Sequence, residues 1–282
     1  MLLSALAFSV MALFVKAVGR AGIPVIEIVA ARSVVSLLLS YVGLKHLGIP
    51  LLGNRKGLLF ARGFVGFIAL ICVFYAVTHL PLAEATVLQY LHPMFTAVLA
   101  FIFLREIASK GAIVCVLFSF VGLLVILKPP LLFGTTVIDY DGIAILAALA
   151  GALGSAIAYT LVRKLNKTEH PLVIILYFPL VSLPLSIVLL WNNFVMPDGI
   201  VWFYLLLIGL ATQLGQYGLT KSMQTETAGR ATSFSYLQVV FAIVFGVIFY
   251  EEIPSIETLI GAGLIIAGAY INVTWKMKAK SS

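Results

Sequence analysis

Apolar residues run through this chain in blocks of roughly 20, the length a helix needs to cross hydrocarbon, broken by short stretches where Lys, Arg, Asp, Glu and Pro collect. The blocks predict spans at about 2–18, 25–44, 58–78, 82–104, 111–127, 142–163, 172–190, 200–221, 228–250 and 255–275. Backbone polar groups must be satisfied within the bilayer, which leaves helices or closed-barrel strands. Runs this long without strict alternation exclude the barrel. The expected fold class is therefore all-α, a polytopic membrane protein of ten transmembrane helices.

Composition agrees. Of 282 residues, 62% are hydrophobic and only 10% charged, with a mean hydropathy of +1.14; a soluble domain carries about 25% charged residues. Ten spans leave about eight residues per connection, so no separate soluble domain is expected and function must be built from the helices. Cys72 and Cys115 sit in apolar runs as small hydrophobes, and no Cys/His spacing suits zinc. Met1 leads into Leu2–Val18 without a basic stretch or a small-residue cleavage site, so this segment reads as a first span.

The net charge of +7 is spread between apolar runs, makes no basic patch and implies no nucleic-acid partner. It reads as topology. With the N-terminus inside, the inner set is Lys45, Arg55, Lys56, Arg62, Arg105, Lys110, Arg163, Lys164, Lys167, Lys221, Arg230, Lys276, Lys278 and Lys280, against Lys16, Arg20 and Lys128 outside, with Arg32 left within a span. Cytoplasmic ends collect Lys and Arg, so both termini are expected in the cytoplasm, the expected membrane being a bacterial inner membrane. The sequons at Asn166 and Asn272 fall on the inner side or within a helix and are expected to stay unglycosylated.

The chain also resembles itself. A shift of 146 residues lays the fourth span on the ninth without a gap: Ala85 on Ala231, Thr86 on Thr232, Tyr90 on Tyr236, Leu91 on Leu237, Phe95 on Phe241, Phe103 on Phe249, Glu106 on Glu252 and Ile107 on Ile253. Five spans per unit is an odd number, so the second copy enters the membrane upside down. The expected units are 1–127 and 142–282, joined by an outer loop at 128–141. Inverted repeats are the construction of many secondary transporters, with the substrate near the midplane where the repeats meet.

Arg32 in the second span, the Tyr75-Ala-Val-Thr-His-Leu-Pro81-Leu-Ala-Glu-Ala85 junction, the Tyr90-Leu-His-Pro93 stretch and the closing Arg105-Glu106 resemble the EamA repeat of the drug/metabolite transporter superfamily. The second repeat is a weaker match, with Val239 in the place of Pro93 and Phe241 retained. The Leu127–Gly134 connection is similar to that of animal solute-carrier members. The resemblance covers essentially the whole chain and implies ten helices as two inverted five-helix units, cytoplasmic termini and transport of a small metabolite. Members of the superfamily move amino acids, purines, sugars, nucleotide sugars, phosphorylated sugars and organic anions, so it does not supply the substrate.

Polar side chains inside hydrocarbon are expensive and mark functional sites. On the fourth span Gln89, His92 and Thr96 share a face at spacings of three and four. The repeat shift carries them to Ser235, Gln238 and Ala242. On the eighth span Gln213, Gln216 and Thr220 repeat the spacing, with Tyr217 beside them. These stripes, with Tyr75, Thr78 and Tyr159 as neighbours, are the expected lining of a substrate cavity. The alternative for each is helix–helix glue, worth roughly 0.6–2 kcal/mol per hydrogen bond.

Four residues are candidates for gating or coupling. Pro93 removes an amide donor and frees the Gln89 carbonyl, marking a kink or a pliable point. His92 is the sole midspan group that would titrate near neutral pH without a large shift, so it is the candidate if protons drive transport; a neutral histidine donating one bond is the alternative. Arg32 sits about two turns into its span, either packed against helix ends or as countercharge for a carboxylate. It is five positions from Glu27, 140° around the helix, and is not expected to pair with it. Glu84 lies about 12 Å outward of His92 and is either functional or interfacial. Ala147, Gly151 and Ser155 form a small-xxx-small packing stripe.

No P-loop, H-E-x-x-H or G-x-S-x-G motif occurs, and no cofactor or metal is expected. Lacking a Lys/Arg cluster on the ninth span, phosphorylated sugars and nucleotide sugars are marked down. The expectation is a secondary transporter, not an enzyme, exporting an amino acid or related compound as a monomer or weak dimer. The alternatives are an organic-anion or nucleoside/purine carrier, an intramembrane enzyme on a lipid-linked substrate and a non-transporting scaffold.

Overall fold

A computed structural model describes residues 1–104, 110–127, 141–191, 193–225 and 237–281. Every regular element among them is a helix: α1 Leu2–Arg20, α2 Val25–His46, α3 Lys56–His79, α4 Leu82–Gln89, α5 His92–Leu104, α6 Lys110–Leu127, α7 Gly142–Leu165, α8 Pro171–Leu190, α9 Gly199–Thr225, α10 Leu237–Tyr250 and α11 Ile256–Ser281. Six are long and apolar enough to cross a membrane: α1, α2, α3, α7, α8 and α9. The chain is a multi-pass α-helical membrane protein. Its outer surface suits lipid, since Val42, Phe103, Leu146, Val188 and Ile248 turn most of their side chains outward.

The fourth predicted span is not one helix. It ends at Gln89 and restarts at His92, so the kink expected at Pro93 is a full break. The Tyr90 amide donates to Thr86 O and Val87 O, and the Leu91 amide to Leu88 O at 3.2 Å, which tightens the last turn of α4. Proline, lacking an amide hydrogen, sits comfortably in the first turn of the helix that follows. The Tyr90–Leu91 corner is buried.

α1 packs along α9 and α10, while α7 packs along α3 and α5; α2 lies on α8, and α6 on α11. Gly151 and Gly154 let α7 and α3 approach, because a Cβ on Gly151 would come 2.7 Å from Val73 Cγ2 and one on Gly154 would come 2.7 Å from Ala69 Cβ. Small residues at a helix crossing gain van der Waals contact that lipid cannot supply. Side-chain hydrogen bonds add to this. Ser33 and Ser182 hydroxyls meet at 2.8 Å between α2 and α8, and Ser4 Oγ on α1 donates to Gly215 O on α9 at 2.7 Å.

Of the predicted connection 128–141, only Asp141 lies within the described residues; its carboxylate caps α7 by accepting from the Ile143 amide at 2.9 Å. Arg105, Glu106, Ile107, Arg230 and Ser235 lie outside the described residues.

Candidate functional site

The break between α4 and α5 borders a cavity of about 1080 Å³, counting the part open to solvent. α1 contributes Ser4, Phe8 and Met11 to its walls, α2 Arg32, α3 Arg62, Gly66 and Phe74, and α8 Phe178. Thr86 and Gln89 come from α4, Tyr90 from the corner and His92 from α5, joined by Ser155 and Tyr159 of α7, Gln216 of α9 and Gln238 of α10.

Part of its wall is a small aromatic and amide cluster. The Tyr90 hydroxyl donates to Gln238 Oε1 at 2.7 Å. The His92 ring stands edge-on to Tyr159 with centroids 4.9 Å apart and tilts against Tyr90 at 5.2 Å. His92 is 4% exposed, and its Nδ1 has no hydrogen-bond partner.

Another part of the wall is cationic. Arg32 and Arg62, 2% and 4% exposed, both lean on Phe178, with guanidinium carbons 4.6 Å and 5.6 Å from its ring centroid. Arg62 Nη2 donates to Gln216 Oε1 at 3.2 Å. Among the described residues, no Asp or Glu belongs to the lining. Arg32 does not pair with Glu27, whose Oε2 accepts from the Val195 amide at 3.1 Å instead.

The sequence candidates divide accordingly. Gln89, His92, Tyr159, Gln216, Gln238 and Arg32 border the cavity, while Tyr75, Thr78, Thr96, Gln213 and Tyr217 lie outside its lining. Gln213 accepts from Ser36 Oγ at 2.6 Å and donates to Ser40 Oγ at 2.9 Å, tying α9 to α2. Thr96 Oγ1 donates back to the His92 carbonyl at 2.7 Å, and Thr78 Oγ1 to the Tyr75 carbonyl at 2.9 Å. Tyr75 stacks on His79 at 4.0 Å, and Tyr217 is 44% exposed. Glu84 is buried and accepts from Thr258 Oγ1 at 2.9 Å, which joins α4 to α11.

Arg62 and Phe178 were not among the sequence candidates. Arg62 stands seven positions into α3, where the charge count assigns it to a membrane face. Its signal was phase: positions 62, 66, 69, 70, 73 and 77 recur at helical spacing, and all line the cavity. Phe178 carries no signal among so many apolar residues.

The cavity follows α1 from Met1 to Ala12 and goes no further along it. Beyond it the chain is tied together by charge. Lys16 Nζ donates to Leu80 O at 2.6 Å and pairs with Glu252 Oε1 at 2.7 Å. Arg20 Nη2 reaches the same oxygen at 2.9 Å, while Glu252 Oε2 accepts from the Leu82 amide at 2.9 Å. One carboxylate thus holds α1 to the junction of α3 and α4.

Comparison with known proteins places this arrangement. The model of the EamA-like transporter family matches residues 1–128 and again 142–274. The pseudopaline exporter CntI of Pseudomonas aeruginosa is 34% identical over 267 residues, 94% of this chain and 91% of that protein. Solute carrier family 35 member G1 of Mus musculus is 33% identical over 278 residues, covering 94% and 74% of the two chains, and a riboflavin transporter of Brucella anthropi is 28% identical, covering 89% and 88%. A solved crystal structure superposes with a TM-score of 0.73 over 98% of both chains at 18% identity, which speaks to fold alone. Two family matches spanning nearly the whole sequence settle the assignment: the chain belongs to the EamA-like transporter family.

Proposed function

We propose that this protein is a ten-span secondary transporter that moves a small polar metabolite by alternating access, with the central cavity as its substrate site. The observation that carries the reading is the cavity itself: a pocket walled by Arg32, Arg62, Gln216 and Gln238 inside an apolar bundle, beside a broken helix. Transporters place substrates near the midplane beside discontinuous helices, where unwound backbone offers hydrogen bonds to a ligand.

The inverted repeat finds support in the packing. Counting α4 and α5 as one span, exchange of the two halves turns α1 against α9 into α7 against α3, and α1 against α10 into α7 against α5. The pairs α2–α8 and α6–α11 map onto themselves, and the family model matches once per half. With both termini in the cytoplasm, the cavity reaching Met1 is open inward. The Lys16–Glu252 cluster then closes the outer side. Export is the direction this reading favours, in keeping with the name of the pseudopaline exporter.

The test is counterflow in proteoliposomes. Labelled solute should accumulate transiently when the lumen is preloaded with the unlabelled compound. No accumulation across amino acids, organic acids and nucleosides would overturn the reading, and a chemically altered product would favour the enzyme alternative.

A further inference from the structure

We infer that the substrate is a small organic dianion, its negative groups received by Arg32 and Arg62. The inference rests on the transport reading of the same cavity and adds the chemical class that fits it.

The two guanidinium groups are more than nine-tenths buried and share the Phe178 ring. Arg32 Nε and Arg62 Nε and Nη1 have no hydrogen-bond partner, and the acceptor for Arg62 Nη2 is the neutral amide of Gln216. A ring face attracts a cation but does not neutralise it. The buried carboxylates among the described residues are engaged elsewhere: Glu27 by the Val195 amide, Glu84 by Thr258, Glu169 by the Asn54 and Arg55 amides. Two uncompensated cations within a membrane protein are costly, and so is a buried cation whose donors lack acceptors. A ligand with two negative groups supplies both the countercharge and the acceptors.

The same chemistry separates substrate classes. A zwitterionic amino acid would satisfy one arginine with its carboxylate, but its ammonium group would find no acidic side chain among the described lining residues and would be repelled by the second arginine. The cavity therefore favours the organic-anion alternative raised by the sequence. It also answers the objection to phosphorylated compounds, which was the want of paired cations: Arg62 lines the cavity with Arg32. Guanidinium groups take carboxylate and phosphate alike in a bidentate manner. The apolar walls from Phe8, Val73 and Phe74 suit a short carbon skeleton between or beside the charges.

Thermal unfolding of the purified full chain is measured with succinate, inorganic phosphate, chloride and glutamine at equal ionic strength. Succinate or phosphate should raise Tm saturably, and the comparison of those two arms distinguishes carboxylate from phosphate. Chloride and glutamine should not. Arg32→Gln and Arg62→Gln should each weaken the apparent Kd at least tenfold; if either fails to fold, Arg32→Lys and Arg62→Lys, which keep charge but lose the planar fork, should weaken it several-fold. The inference is overturned if neither dianion binds, if chloride alone gives the same shift, or if the arginine variants bind the dianion as tightly as wild type. Counterflow separates the two claims. Glutamine moved without succinate or phosphate keeps the transport reading and ends the dianion; a dianion bound with no solute moved does the reverse.

Discussion

The Tyr90 hydroxyl donates to Gln238 Oε1 at 2.7 Å, joining the corner between α4 and α5 to the first turn of α10. Both residues line the cavity, and Gln238 is the position onto which the 146-residue shift carries His92. Gln238→Leu removes this hydrogen bond, at a cost of about 0.5–1.5 kcal/mol. The expected result is a lower Tm and transport reduced at least tenfold. Adding Tyr90→Phe should restore none of the transport, and a double-mutant cycle of melting curves and uptake rates will read the coupling between the two side chains.

Gln213 and Gln216 stand three positions apart on α9 and do different things. Gln213 bonds Ser36 and Ser40 of α2, whereas Gln216 bonds Arg62 in the cavity. Gln213→Leu should therefore lower Tm, losing roughly 0.6–2 kcal/mol per hydrogen bond, with substrate affinity unchanged. Gln216→Leu should weaken binding at least tenfold. Titration of both variants with one substrate checks the split.

Glu252 receives Lys16, Arg20 and the Leu82 amide, and Lys16 is 3% exposed. Glu252→Gln strands the ammonium, and breaking a buried pair this way costs about 3–5 kcal/mol. A large drop in Tm is expected. Lys16→Met added to it should recover most of the loss, because the stranded charge has gone. Equal Tm values for the single and double variants would show that the pair is not what closes this end.

Much of this was legible in the sequence, for reasons that also explain the gaps. Long apolar runs report the bilayer directly, and α1, α2, α3, α7, α8 and α9 appear where those runs stand. Pro93 announced a weak point because a missing amide hydrogen acts locally. The Gln213/Gln216 pair was harder, since a polar stripe about 60° wide can face a neighbouring helix on one edge and a cavity on the other. Arg62 was harder still. A long cation near the end of a span looks like a topology signal, and only the packing of Phe178 and Gln216 against α3 turns it inward.

Close packing of α7 on α3 gives a stability test independent of the cavity. Gly151→Ala puts a methyl 2.7 Å from Val73 Cγ2 and 3.1 Å from the Val73 amide nitrogen, so the helices must part. Overpacking of this kind costs about 1–3 kcal/mol. Gly142→Ala, with open space around it, should leave the melting curve unmoved.

Alternating access itself is tested most directly by chemical labelling of one cavity position from both sides. Ala12→Cys, in a background of Cys72→Ala and Cys115→Ala, borders the cavity next to the Lys16–Glu252 closure. Reconstituted in vesicles of known orientation and treated with a membrane-impermeant thiol reagent, it should react from the cytoplasmic face without substrate and from both faces during turnover. Reaction from one face alone under every condition, in protein that still transports, would contradict the account.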